Sequence, residues 1–107
     1  MKLLVVVALG ATLGACATAD DLRTKQPAFT GETSRPAPEY AGCVQMGWQD
    51  AGSDAVTYAP TAKGVTLTVR GIAGYELLLD NQSGSVTMFT RLPYGNGKFV
   101  EAARSCL

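Results

Sequence analysis

Three cysteines, Cys16, Cys43 and Cys106, are the side chains of this 107-residue chain with the widest chemical reach. A thiol can close a disulfide, ligate a soft metal, act as a nucleophile or carry a modification. The chain has no histidine, so the commonest general base and the commonest metal ligand are missing together. That excludes a Ser-His triad, and no Ser-x-x-Lys offers a serine–lysine pair instead. There is no Cys-x-x-Cys, the usual redox arrangement. Gly95-Asn96-Gly97-Lys98 falls short of a phosphate loop: Leu92 stands where glycine is needed, and Phe99 where Ser or Thr is needed. In "DNQSGS", Gln82 and Gly84 replace the oxygen donors of a calcium loop, so the segment reads as a hairpin turn. Asp50 and Asp54 read as ordinary solvated carboxylates flanking a turn, and Trp48 as a core anchor. The sequence therefore predicts no enzyme, no metal and no cofactor. Nine basic and nine acidic residues balance, which argues against nucleic acid as a partner. What remains is an odd number of cysteines, which needs an explanation.

Cys16 closes an apolar run. Lys2 precedes Leu3 to Leu13, a stretch that as a helix crosses roughly half of a bilayer core. That is too short for an anchor helix and fits the core of a secretory signal, with the small residues Gly14 and Ala15 next to the cysteine. Leu13-Gly14-Ala15-Cys16 resembles the lipobox of bacterial lipoprotein precursors. The resemblance implies loss of residues 1–15, a diacylglycerol thioether on Cys16 and acylation, of the palmitate type, on its new amine. Two or three acyl chains anchor a protein that one would hold only marginally. Ala17 in place of Asp implies, by the enteric sorting pattern, the outer membrane, with the protein facing the periplasm. "YAGCVQMGW", "PTAKGVTLTV", "GSVTMFTRLP" and "AARSCL" also resemble a group of small proteobacterial lipoproteins, a likeness that implies location and no activity.

Residues 16–37 show neither a helical nor a strand period and carry Pro27 and Pro36, with Pro38 just beyond. They are expected to form a flexible tether of about 25 Å average reach, in which the lone aromatic Phe29 packs incidentally. The folded part is expected over 38–107. Tyr40, Cys43, Val44, Gly47 and Trp48 recur at helical spacing, with Pro38 and Glu39 suited to the first turn and Gly52 to the end. Gly47 is expected to allow close approach to a sheet. Four runs then alternate with period two: 55–59, 64–70, 75–80 and 85–92. Tyr75, Leu77 and Leu79 are placed on one face of the third run, with Glu76 and Leu78 on the other. Phe99, Ala102, Ala103 and Cys106 mark a last helix, with Asn96 as its N-cap. The fold class is thus α+β: a small two-layer domain, an antiparallel three- to four-stranded meander flanked by an N-terminal and a C-terminal helix on one face.

With Cys16 lipidated, Cys43 and Cys106 remain, both on the apolar stripes of the two helices. Two cysteines without histidine make no zinc site, and in an oxidising periplasm a structural disulfide is expected. The outward face of the sheet carries Arg70, Leu78, Phe89 and Arg91. If nothing covers it, that mixed apolar and cationic patch is the candidate partner surface. The expected function is that of a lipid-anchored, non-catalytic cell-envelope module with an envelope protein as partner. The alternative is a periplasmic inhibitor of a hydrolase such as lysozyme.

Overall fold

The computed structural model describes residues 18–53 and 55–107. The expected signal sequence, Cys16 and Asp54 lie outside them. Eight elements follow in order: α1 (Ala19–Arg23), β1 (Phe29–Glu32), α2 (Ala37–Asp50), β2 (Val56–Pro60), β3 (Gly64–Gly71), β4 (Gly74–Gln82), β5 (Ser85–Thr90) and α3 (Gly97–Ser105). The α+β class and the two helices on one face are as expected. The sheet has five strands, in the order β1-β5-β4-β3-β2, every neighbouring pair antiparallel. The additional strand and an additional short helix both come from the segment expected to be a tether. Residues 18–37 therefore belong largely to the folded unit, and β1 pairs Phe29 with Met88 and Glu32 with Ser85.

Strand alternation builds the main core. Val65, Leu67, Val69, Leu77, Leu79, Val86 and Met88 face α2 and α3, which answer with Tyr40, Ala41, Val44, Trp48, Phe99 and Ala103. Each of these side chains is at least nine-tenths buried, and burial of this kind is the main favourable term in folding. The two large polar-tipped residues are satisfied: the Tyr40 hydroxyl donates to the Ala103 carbonyl at 2.8 Å, and Trp48 Nε1 donates to the Phe99 carbonyl at 3.1 Å. Both bonds run from α2 to α3 and fix the pairing of the helices. Burial pushes the Tyr40 phenol well above its ordinary pKa, so it keeps the proton it donates.

Helix α2 ends as its sequence predicts. Gly52 sits at φ +117°, its N–H donates to Gln49 and the Ser53 N–H to Trp48, which is a Schellman ending. Gly47 permits a close approach, but to a helix and not to the sheet: a Cβ there would lie 2.8 Å from the Cβ of Ala102 on α3. Asn96 precedes α3 with helical backbone angles and makes no side-chain cap, unlike the expectation from its type. Cys43 and Cys106 are joined by a disulfide, with Cα atoms 5.9 Å apart and a sequence separation of 63. It ties the middle of α2 to the residue that caps the end of α3.

Candidate functional site

The expected partner surface is not a surface. Leu78 and Phe89 do point away from α2 and α3, but they are 0% and 7% exposed because α1 lies over them. Leu22 of α1, itself 1% exposed, completes a second small core with Leu78 and Phe89, against which Ala19 and Tyr75 pack. Of the four expected residues, only Arg70 and Arg91 remain exposed.

Local chemistry holds α1 in place. Thr18 accepts from the Asp21 N–H and Asp21 accepts from the Thr18 N–H, both at 3.1 Å, a capping box that secures the start of the helix. At the other end Arg23 donates from Nε and Nη2 to the two carboxylate oxygens of Asp80 at 2.8 and 2.9 Å, while Thr66 donates to Asp80 at 2.8 Å. Burial acts to raise the Asp80 pKa, but the hydrogen bonds from Arg23 and Thr66, with the charge of Arg23, outweigh it and hold the carboxyl below its ordinary value. The same carboxylate raises the pKa of Arg23.

A carboxyl with a depressed folded pKa stabilises the native state above its unfolded value, and that contribution is lost as pH falls through the folded value. Below a pH of about 4, therefore, α1 should loosen before the main core. Amide hydrogen exchange read by NMR checks this: protection of the α1 amides should fall on acidification while that of β3 and β4 persists. Asp80→Asn should remove the Asp80 step. Parallel loss in both regions would contradict it.

The sheet end at the β3–β4 hairpin gathers the remaining exposed groups. A bulge between Val69 and Arg70 sets Arg70 opposite Tyr75 and leaves Glu76 as the extra residue. The bulge turns Tyr75 out of line with Leu77 and Leu79, onto the α1 side, where it packs on the second core. Arg70 lies over the Tyr75 ring at 5.2 Å. Ala73, Gly74, Glu76, Arg91, Leu92 and Pro93 line an open cavity of about 220 Å³. Arg91 donates to the Ala73 carbonyl at 3.1 Å, bracing the hairpin against the loop after β5. Ile72 and Tyr94, the chain neighbours of Ala73 and Pro93, are exposed and account for two of the four large apolar side chains that are exposed among the described residues.

The cavity holds one carboxylate and one guanidinium but no nucleophile, and it is smaller than the sites that enclose substrates. Among the described residues no three His, Cys, Asp or Glu side chains converge as a metal site would require. At the far end of the sheet, Asn81 is buried with neither amide atom hydrogen bonded. It faces the main core between Val65 and Val86 of the adjacent strands. No helix of the described residues is long and apolar enough to cross a membrane. No protein-family model, no curated protein and no solved structure matches the chain.

Proposed function

We propose that the protein is a lipid-anchored component of a bacterial cell envelope, held at the outer membrane through Cys16 and acting as a non-catalytic interaction or structural module. The observation that supports this reading best is the Cys43–Cys106 disulfide. Structural disulfides belong to exported proteins, and this one uses the only two cysteines outside the lipobox-like segment. Cys16 is left as the single thiol for lipid, directly after an apolar stretch of signal-sequence length.

Intact-mass measurement of the protein extracted from bacterial membranes tests the reading. The expected mass lacks residues 1–15, gains diacylglycerol and an acyl chain, and is short of two hydrogens for the disulfide. Cys16→Ser should abolish acylation, leaving a chain that keeps residues 1–15 and carries no acyl mass. An unprocessed or unacylated chain would overturn the proposal.

A further inference from the structure

The connection between Cys16 and the folded domain is too short to be a leash. Thr18 is already the N-cap of α1, hydrogen bonded to Asp21. Cys16 precedes it by two residues, a span of no more than about 7 Å at full extension. α1 in turn is fixed to the sheet by the burial of Leu22 and by the paired bonds from Arg23 to Asp80. An acyl group on Cys16 would therefore hold the domain itself, and not the end of a coil some 25 Å long.

The direction of α1 selects the part of the domain brought closest. Ala19, at its start, shares the second core with Tyr75, at the hairpin end of β4. Arg23, at its end, bonds Asp80, further along β4 and away from the hairpin. With Arg23 held at Asp80 and Ala19 packed on the same small core as Tyr75, we infer that the N-terminus of α1 runs toward the hairpin end, where Ile72 and Tyr94 are exposed, as are Arg70 and Arg91. This is the composition of a membrane–water interface: an aliphatic tip, an aromatic ring with a polar handle, and guanidinium heads on apolar stems that reach phosphate. Among the described residues, the guanidinium groups of Arg70 and Arg91 stand at this end with the carboxylate of Glu76.

We propose that the hairpin end of the sheet, through Ile72, Tyr94, Arg70 and Arg91, seats on the bilayer in which Cys16 is anchored. The proposal rests on the lipid-anchor reading. The domain then lies flush with the membrane in one orientation.

Depth-dependent quenching tests it. Ile72→Trp, Tyr94→Trp and, on the exposed side of α2, Met46→Trp are introduced singly into the full precursor. Each protein is extracted from membranes and reconstituted into phosphatidylethanolamine–phosphatidylglycerol vesicles brominated high on the acyl chain. Trp48 is buried in the main core and contributes the same background to all three. Emission from positions 72 and 94 should be lost to bromine, while that from position 46 should be retained. Equal quenching at the three positions, or none, in a sample whose intact mass carries the acyl groups overturns the seating and leaves the anchor standing. A sample without acyl mass overturns both.

Discussion

Removing the Cys43–Cys106 disulfide should lower the stability of this domain by about 4 kcal/mol, the chain-entropy cost of opening a loop of this length. The bridge spans 63 residues, so it constrains most of the unfolded domain. Small domains are stabilised by only about 5–15 kcal/mol in total, and the loss corresponds to a drop in Tm on the order of 20 °C. Cys43→Ala with Cys106→Ala is the suitable variant, because Cys106 is buried and serine would leave a hydroxyl in the core. The native contacts between α2 and α3 largely survive the change. None of them passes through the bridge: Tyr40 bonds Ala103, Trp48 bonds Phe99, and the Trp48 and Phe99 rings meet edge-on at 6.4 Å. The effect should therefore come through the unfolded chain. Urea unfolding distinguishes the two origins: the midpoint should fall while the slope rises, as the released chain exposes more surface. A loss below about 1 kcal/mol, far short of the loop-closure value, would show that the bridge contributes little beyond those contacts.

The pairing that carries this prediction was legible in the sequence because Cys43 and Cys106 lie on helical stripes that also hold Val44, Trp48, Phe99 and Ala103, all of them buried. Strand parity was legible for the same reason. Val65, Leu67 and Val69 alternate strictly with polar neighbours, and a one-residue slip would turn all three to the wrong face. Parity failed at Tyr75, where the bulge opposite Val69 and Arg70 shifts the count by one. Alternation cannot reveal an inserted residue.

β1 was missed because Phe29 and Thr30 are followed by Gly31 and Glu32, which disfavour strands, and its pairing is supplied by β5. α1 has a single buried side chain and so no periodicity to detect. Its sequence nevertheless carried a signal in the Thr18-x-x-Asp21 spacing of a capping box. Leu78 and Phe89 carried another: two large apolar residues on the outward face of a small sheet call for a cover as readily as for a partner. The hairpin end was half legible. Arg70 and Arg91 follow from alternation, whereas Ile72 and Tyr94 sit in connections that become neighbours only once β3, β4 and β5 are paired.

Leu22 supplies the only buried side chain of α1, and its removal should free that helix and leave the rest of the domain folded. Leu22→Ala should cost about 2–3 kcal/mol, the lower part of the range for a buried leucine, because its pocket is small and lies near the surface. The Arg23–Asp80 pair cannot make up the difference. Arg23 is more than a third exposed, and ion pairs of that kind are worth less than about 1 kcal/mol. The substitution thus removes most of what holds α1, and the response should be local. Hydrogen-exchange protection in residues 18–25 should collapse, while amides of α2 and β4 exchange as before. Release uncovers Leu78 and Phe89, so binding of a hydrophobic dye should rise at neutral pH without loss of the near-ultraviolet signal of Trp48. Arg23→Gln should give the same pattern in weaker form. If instead the whole domain unfolds at a lower urea concentration with no local step, α1 is an integral layer and not a strap. In the membrane-bound protein the same substitution lengthens the path from lipid to domain to that of a flexible segment reaching β1. Quenching of a tryptophan at position 94 should then fall toward that at position 46, with the acyl anchor intact, because the short connection and not the affinity of the hairpin end alone is what holds it to the bilayer.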